Sequence, residues 1–370
     1  MSTLKVEVTK IDAIERHPNA DRLDLAVVKG WNCVVGRGSY RSGDLCVYIP
    51  IDSVLSEDLE KRLFPEDSKI KLHNHRVRTI KIRGAISQGL VTSLDAVGLN
   101  PKKYSAGDDV TQVLGVTKYE PPAPGFQGAA SGRSTWKQSN PNFRKYTDIE
   151  NFKNYPNVFS EGEEVVCTEK IHGTNFRAGW VPYVAHTLWR RIAQRVLGWF
   201  GRAREWEFVY GSRNVQLQDD PTKPTPDFGN VYLEISKRYH LEAVLPKGFV
   251  VYGEIYGDGI QKGYSYGLGP GQHEVVFFDL MIDGVYMGNV DFAMKMAGLP
   301  TVPILYEGPF TKLKARELSM GASVLHPQTK IREGVVIRPI TEAQHPLLGR
   351  KILKYVSDEY LLKVDTTDFH

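Results

Sequence analysis

The chain has 370 residues, and at about 150 residues per domain this length predicts two or three domains. Hydrophobic residues make up 41% and charged residues 24%, ordinary globular values that exclude a disordered, collagen-like or coiled-coil chain. The formal net charge of +4 permits a nucleic-acid partner without requiring one. The three cysteines form no CxxC motif, so we expect neither a disulfide framework nor a thiolate zinc site.

Neither the start of the chain nor its apolar runs carry a targeting or membrane signal. Residues 1–12 alternate charged and apolar side chains and lack the apolar core of a signal peptide. No apolar run approaches the roughly 20 residues that a membrane span needs. We therefore expect a soluble cytoplasmic protein with no membrane partner, acting as a monomer.

Residues 1–115 have the pattern of a small all-β domain. Short β-branched runs at residues 5–9, 25–29 and 45–49 are separated by turn-forming clusters. Several short strands at this spacing predict a small barrel or sandwich, with one short helix at residues 56–64.

Residues 116–142 are rich in Pro, Gly and Ser and poor in periodic apolar residues, which is typical of a linker between domains. Residues 143–370 then mix strands and helices. The predicted strands lie at residues 164–169, 175–180, 208–211, 249–254, 274–282 and 334–338, and the predicted helices at residues 187–200, 231–244 and 290–297.

One segment, residues 186–204, combines apolar side chains at helical spacing with five arginines. A basic amphipathic helix can lie on a membrane surface, on a phosphate backbone or on a protein partner. We expect its apolar face to pack against its own domain, and the function of its arginines stays open.

The most informative stretch is residues 168–175, TEKIHGTN, in which Lys170 precedes a tight glycine-containing turn between two predicted strands. A buried lysine is costly unless it is paired or deprotonated, although an exposed hairpin lysine is the commoner case. The chain has no GxxxxGK(S/T), GxSxG or HExxH motif. Further segments with one charged end follow in this order: YGSRN, VYGEIYG, VVFFDL, EGVVIR and RKILKY.

Together these segments resemble the motif series of the covalent nucleotidyltransferase superfamily, and more narrowly that of ATP-dependent RNA ligases. KIHGTN is similar to the Kx(D/H)GxN nucleophile motif, and HPNADRLDLAVV followed by GDLCVYIPIDSVL resembles an OB-fold placed as in the RNA ligases of Deinococcus and Naegleria. The resemblance implies an α+β protein. An N-terminal OB-fold β-barrel (residues 1–115) would precede the linker and a larger nucleotidyltransferase domain (residues 143–370) of antiparallel sheets flanked by helices.

The resemblance also implies a reaction and its catalytic residues. RNA 3′-OH and 5′-phosphate ends, in a nicked duplex or at a break, would be joined with ATP through a lysyl-AMP on Lys170, with Lys354 and Arg213 contacting phosphate. Because a free lysine titrates at about pH 10.4, nearby cations or desolvation must lower the pKa of this nucleophile.

The remaining site residues are likewise implied by the resemblance. Phe278 would stack on adenine, while Glu254 would contact the ribose or, with Glu333, hold Mg²⁺ or Mn²⁺, hard ions that suit oxygen ligands. The last motif departs from the KxK of many RNA ligases, because Ile352 stands where a first lysine would. The residues implied to bind the nucleotide are Glu169, Lys170, His172, Gly173, Asn175, Arg213, Glu254, Phe278, Glu333, Lys351 and Lys354.

A basic run without acidic residues extends from residue 68 to residue 83, and its alternation with apolar residues predicts strands with one basic face. OB barrels bind nucleic-acid strands along such a groove, although a solvated barrel face explains the run equally well. The predicted RNA contacts are Arg76, Arg78, Lys81, Arg83 and, upstream of the nucleophile, Lys145.

Other functions fit parts of this pattern. A DNA ligase or a capping-type nucleotidyltransferase shares the lysyl-nucleotide chemistry, and the preferred nucleotide and acceptor would separate them from an RNA ligase. A noncatalytic RNA-binding protein, with the OB domain as its working part, predicts that Lys170 is dispensable.

Overall fold

The computed structural model describes residues 4–65, 68, 71–119, 139–217, 231–363 and 366–368. The elements of the first domain are β1 (Glu7–Lys10), β2 (Ala13–Arg16), β3 (Leu23–Val28), β4 (Trp31–Gly36), β5 (Leu45–Ile49), β6 (Ser53–Val54), α1 (Glu57–Leu63), β7 (Thr79–Ile82), β8 (Ala85–Gln88), β9 (Leu90–Thr92) and β10 (Thr117–Lys118).

The elements of the second domain follow in chain order. They are β11 (Glu150–Asn151), β12 (Glu164–Lys170), β13 (Thr174–Pro182), α2 (Leu188–Trp199), β14 (Trp206–Ser212), β15 (Gln216–Leu217), α3 (Val231–Arg238), α4 (Leu241–Val244), β16 (Phe249–Gly257), β17 (His273–Ile282), β18 (Val285–Tyr286), α5 (Asn289–Lys295), β19 (Ile304–Pro309), α6 (Lys312–Ser319), β20 (Gly334–Pro339), β21 (Gln344–His345), β22 (Gly349–Arg350), β23 (Leu353–Val356) and α7 (Asp358–Leu361).

The strands of the first domain form short antiparallel sheets. β5 lies between β1 and β9, β3 lies between β2 and β4, and β7 pairs with β8. Alternate residues of β4 are buried, so one face of the strand packs while the other is partly exposed. β10 pairs with β6, so residues 117–118 of the predicted linker extend a sheet of this domain. Residues 120–138 of that linker lie outside the described residues.

Two large sheets of the second domain meet at the candidate nucleophile, and β21 pairs separately with β22. The strand orders of the two large sheets are β11-β23-β20-β12-β19 and β15-β14-β13-β16-β17-β18, with only the β11–β23 pair parallel among the described strands. Helices α3, α4 and α5 bury Ile235, Leu241 and Phe292 in the core beneath the six-stranded sheet. Because β12 belongs to one sheet and β13 to the other, residues 171–173 cross between the sheets directly after Lys170.

All six predicted strands of the second domain are present, as β12, β13, β14, β16, β17 and β20, but one predicted helix is divided and the packing predicted for another is wrong. Residues 231–244 form two helices rather than one, because His240 has a left-handed backbone with φ of 48° that separates α3 from α4. Helix α2 forms as predicted, but none of its side chains is buried, so its apolar face does not pack against its own domain. Among the described helices, none is both long and apolar enough to cross a membrane.

Apolar and polar side chains join the two domains. Trp31 of the first domain belongs to the same buried cluster as Tyr360 of α7. Lys153 of the second domain donates hydrogen bonds to Gln88 Oε1 at 2.8 Å and to Asp358 Oδ1 at 2.7 Å. The first domain is therefore held against the second by a continuous interface.

Residues 366–368 lie between the two domains. Arg76 Nε donates to Asp52 Oδ1 at 3.0 Å, and Asp52 Oδ2 accepts a hydrogen bond from the backbone N–H of Asp368 at 2.9 Å. From the second domain, Asn151 Nδ2 donates to Asp368 Oδ1 at 2.7 Å. Arg76 is therefore occupied in a buried contact and does not present its guanidinium to RNA, contrary to the prediction.

We expect Arg76→Met to lower the free energy of unfolding by about 3–5 kcal/mol, because it leaves the Asp52 carboxylate buried without its counter-ion. Urea unfolding of the full chain measures this loss. Arg83→Met is the control, because Arg83 is exposed and its substitution changes stability by less than about 0.5 kcal/mol. Equal stability of the two variants would contradict a structural role for Arg76.

Candidate active site

A close backbone approach shapes the turn after Lys170. A Cβ atom at Gly173 would lie 2.2 Å from the carbonyl oxygen of Ile255 and 2.8 Å from Cγ of Glu254, so only glycine fits. The same approach lets the backbone N–H of Gly173 hydrogen-bond the Glu254 carboxylate. The glycine of the HGTN motif therefore brings β16 and its glutamate against the nucleophile turn.

Two carboxylates face the Lys170 amine. Lys170 is the last residue of β12, and its Nζ lies 2.7 Å from Oε1 of Glu333, whose side chain is 1% exposed. Glu333 directly precedes β20, the neighbour of β12. Glu254 comes from the other sheet, opposite Asn175 in the β13–β16 ladder. One strand end, one strand start and one mid-strand position, from two sheets, thus place one ammonium between two carboxylates.

The pKa values of this cluster follow from burial and from its excess negative charge. Burial alone would lower the pKa of Lys170, but the carboxylates of Glu333 and Glu254 outweigh it and raise that pKa above its ordinary value. Burial raises the pKa of Glu254 to about 8, with a further increase from Glu333 and only partial compensation by Lys170. The site alone therefore keeps the amine protonated, and only added positive charge near these carboxylates would lower its pKa.

An aromatic cage holds His172 beside this cluster. The imidazole packs edge-on against the rings of Tyr264 and Tyr360, with ring centroids 4.9 Å and 5.2 Å away. Its backbone N–H donates to the hydroxyl of Tyr266 at 2.8 Å, and its Nδ1 lies 3.4 Å from Oε2 of Glu333. His172 therefore fixes the turn and contacts Glu333. The only sequence signal for this cage was the tyrosine-rich GYSYG turn at residues 263–267, which the sequence analysis missed.

Two buried oxygens near the nucleophile have no hydrogen-bond partner among the described residues. One is Oδ1 of Asn175 and the other is Oε1 of Glu169, whose Oε2 accepts from the N–H of Val324 at 2.7 Å. Buried acceptors of this kind are normally satisfied, so they indicate room for a donor or a cation. Beside Lys170, the carboxylates of Glu254 and Glu333 offer oxygen donors, which suit Mg²⁺ or Mn²⁺.

The described part of the protein alone offers too few ligands to complete the coordination of a divalent cation. Within the described ranges, no group of three or more His, Cys, Asp or Glu side chains could hold a metal ion. Mg²⁺ sites in nucleotide-dependent enzymes typically use one or two carboxylates and complete their coordination with phosphate oxygens and water. The two predicted metal ligands, Glu254 and Glu333, therefore fit an ion that arrives with a nucleotide.

Phe278 occupies an irregular position on β17. The β16–β17 ladder pairs Tyr252 with Asp279 but Gly253 with Phe277, so Phe278 is the extra residue of a β-bulge. Phe277 is fully buried in the core under the helices, whereas Phe278 is half-buried on the other face, edge-on to Tyr146 at 4.9 Å. A bulge re-aims a side chain, and bulges are common next to active sites.

The two lysines of the last motif lie in different places. Burial lowers the pKa of Lys354, which also interacts electrostatically with Lys170 and Glu333, and its Nζ donates to the backbone carbonyl of Asp368. Lys351 pairs instead with Glu163 Oε1 at 2.6 Å, just before the start of β12 and thus at the opposite end of that strand from Lys170. The structure therefore does not bring Lys351 to the nucleotide site implied for it.

Arg213 lies beside the site at the end of β14 and pairs with Asp148. Burial lowers its pKa, and attraction to Glu254 partly offsets that effect. Of the remaining predicted RNA contacts, Arg78 donates to the backbone carbonyl of Lys363 at 3.0 Å. Lys81, Arg83 and Lys145 are exposed.

Comparison with known families agrees with this architecture. A profile of the RNA ligase family matches residues 163–356, and a profile of an OB-fold domain matches residues 5–94. Because the first match covers more than half of the chain, the chain belongs to the RNA ligase family. The prediction of an OB-fold domain followed by a nucleotidyltransferase domain is thereby confirmed. No curated protein sequence matches the chain.

Solved structures of RNA ligase from Naegleria gruberi are similar along nearly the whole chain. A lysine-to-alanine mutant with ATP and Mn has 25% identity and a TM-score of 0.72, over 98% of this chain and 100% of that one. The ligase with PPi has 23% identity and a TM-score of 0.70, over 97% and 98%. A lysine-to-methionine mutant with AMP and Mn has 24% identity and a TM-score of 0.70, over 96% and 97%.

The raised pKa of Glu254 predicts a pH dependence of stability. Between about pH 4.5 and about pH 8 the folded protein keeps a proton on this carboxyl that the unfolded chain has lost. The free energy of unfolding therefore falls as the pH rises through this window. We expect Glu254→Gln to make the fall of Tm with pH shallower, and Glu205→Gln, at an exposed carboxyl, to leave it unchanged. An unaltered slope in Glu254→Gln would contradict the assignment.

Proposed function

We propose that the chain joins RNA 3′-OH and 5′-phosphate ends with ATP, by way of a covalent lysyl-AMP on Lys170. The observation that carries the proposal is the position of Lys170 between Glu254 and Glu333 at the junction of two sheets, in a chain of the RNA ligase family. The Naegleria ligase structures with ATP and Mn, with AMP and Mn and with PPi support ATP as the nucleotide substrate.

In the first step Lys170 Nζ attacks the α-phosphorus of ATP. A P–N bond forms, the bond from the α-phosphorus to the bridging oxygen breaks, pyrophosphate leaves, and the amine releases its proton to solvent. Glu254 and Glu333 would hold Mg²⁺ or Mn²⁺, which would supply positive charge that lowers the pKa of the amine and offsets phosphate charge. His172 keeps Glu333 in place through its 3.4 Å contact and its aromatic cage.

In the later steps AMP moves from Lys170 to the 5′-phosphate of RNA, and the 3′-OH then attacks that phosphorus and releases AMP. Lys354 and Arg213 stabilise the negative charge of the reacting phosphates, which is the main way that proteins accelerate such transfers. Phe278, turned out by the β-bulge, offers its ring to the adenine. Asn175 and Glu169 contribute the unpaired oxygens that bound nucleotide groups or water can satisfy.

We place this activity in the cytoplasm and in a single copy of the chain. All three cysteines are buried and free, which suits a reducing compartment. The residues proposed to act on the nucleotide come from the two sheets of one chain, so no second copy is required to complete the site.

The covalent step is tested by intact mass after incubation with ATP and Mg²⁺ or Mn²⁺. We expect the wild-type chain to gain the mass of one AMP, and Lys170→Ala and Lys170→Arg to gain none. Arginine keeps the ion pair with Glu333 but cannot lose its proton, so it separates loss of chemistry from loss of fold. Lys351→Ala is the matched control and should still be adenylylated.

An adduct on Lys170→Arg, or none on the wild-type chain with either metal after removal of pyrophosphate, would contradict the proposal. Nicked RNA and DNA duplexes of the same sequence then test the acceptor. We expect sealing of the RNA nick, whereas exclusive sealing of the DNA nick would favour a DNA ligase.

RNA binding by the first domain is tested through its exposed cations. We expect Lys81→Gln/Arg83→Gln to weaken binding to nicked RNA and to reduce the slope of log Kd against log salt by roughly 0.7–0.9 per lost phosphate contact. Fluorescence anisotropy over a salt series measures both effects. Lys102→Gln/Lys103→Gln, at exposed lysines of the same domain, is the control. Equal slopes of log Kd against log salt for the two double variants would mean that Lys81 and Arg83 face solvent and do not contact RNA.

A further inference from the structure

Helix α2 projects from the second domain as an insertion between β13 and β14. These strands pair from Phe176 with Ser212 to Pro182 with Trp206, and α2 follows at the end of that ladder. Polar contacts stabilise the start of α2 and the segment that follows it. Thr187 Oγ1 accepts from the N–H of Arg190, and the Gln194 side chain hydrogen-bonds both the backbone N–H and the carbonyl of Arg204. No residue of the helix is buried.

One side of α2 is apolar and exposed. At about 100° per residue, the apolar side chains fall within one half of the helix circumference. Trp189 is 80% exposed and Trp199 is 89% exposed, at opposite ends of the helix. Contiguous apolar patches on a protein surface mark interaction sites. The residues of this apolar face are Leu188, Trp189, Ile192, Val196, Leu197, Trp199 and, at the helix end, Phe200.

The opposite side of α2 is cationic. Arg190, Arg191 and Arg195 occupy it together with Gln194, and Arg202 and Arg204 follow directly. No acidic residue occurs from residue 183 to residue 204, and no described carboxylate forms an ion pair with these five arginines. Arg191 and Arg204 donate only to backbone carbonyls, so no described carboxylate neutralises the five positive charges, and they can attract an anionic surface.

We propose that α2 is a docking helix for an anionic lipid surface. An anionic membrane can contact both sides of the helix. Its hydrocarbon layer would bury the apolar face, and its anionic headgroups would pair with the arginines. The two tryptophans suit the boundary between these layers. RNA matches only half of the helix, because its phosphates attract the arginines while aliphatic side chains such as Leu188 and Ile192 have no base to stack on. A second copy of α2 packed on this helix would bring its own arginines close to these arginines, and the like charges would repel each other.

This docking helix is separate from the ligase site and does not depend on the proposed reaction. None of its residues contacts Lys170, Glu254 or Glu333 among the contacts of the described residues. Surface attachment would hold the catalytic domain at a membrane face without a span, which departs from the expectation of no membrane partner. Substitutions on α2 that abolish membrane binding should therefore leave the adenylylation of Lys170 unchanged.

The test is flotation of the full chain with vesicles of phosphatidylcholine alone or with added phosphatidylglycerol. We expect capture by the anionic vesicles only, and weaker capture as salt rises. Trp189→Ser/Trp199→Ser should reduce the partition coefficient more than about tenfold, and Arg190→Gln/Arg195→Gln about fivefold per arginine. The adenylylation yield of both variants should equal that of the wild-type chain.

Matched controls use exposed residues elsewhere on the chain. Leu313→Ser/Leu347→Ser removes two exposed apolar side chains, and Arg22→Gln/Arg41→Gln removes two exposed arginines. Both controls should float with the vesicles like the wild-type chain. Circular dichroism and Tm establish that all variants are folded.

Three results would overturn the proposal. The first is no capture by anionic vesicles. The second is unchanged vesicle capture by the α2 variants with a loss of RNA binding in anisotropy, which would assign the helix to RNA. The third is a wild-type dimer in light scattering that the tryptophan variant converts to a monomer, without vesicle capture, which would assign the face to self-association.

Discussion

Gly173 lacks a side chain, and that absence lets the turn after Lys170 come against the carbonyl of Ile255 on β16. The approach joins two sheets at the point where β12 ends and β13 begins. Lys170 and Glu333 come from one sheet and Glu254 from the other, so the charge cluster exists only because the sheets meet here. A larger residue at position 173 would push β16 away and separate Glu254 from the Lys170 amine.

The candidate site was largely predictable because its charged residues stand within or beside predicted strands in a fixed chain order. Short runs rich in β-branched and aromatic residues identify β12, β16 and β20 locally, and a charged residue within or beside such a run is visible in the sequence without knowledge of the fold. Lys170, Glu254 and Glu333 could be grouped by resemblance, and the structure places all three together. What the sequence could not show is the sign of the resulting pKa shift, which depends on two carboxylates converging from different sheets.

The predictions that the structure corrects concern long-range or irregular features. Arg76 looked like part of a basic strand face, but its partner Asp52 is distant in sequence, so its burial was invisible. Lys351 is close to Lys354 in sequence, yet strand direction carries it to the other end of β12. The bulge at Phe278 changes a register that alternation assumes to be regular. The exposure of α2 escaped prediction because an amphipathic pattern does not reveal whether a partner surface exists within the chain.

Residues 366–368 connect the two domains beside Lys354. Asp368 bonds Asp52 of the first domain through its N–H, while its backbone carbonyl accepts from Lys354 of the second. Any rotation of the OB domain away from the sheets must therefore loosen the group that restrains Lys354. Movement of the first domain and the freedom of the Lys354 amine are therefore coupled through Asp368.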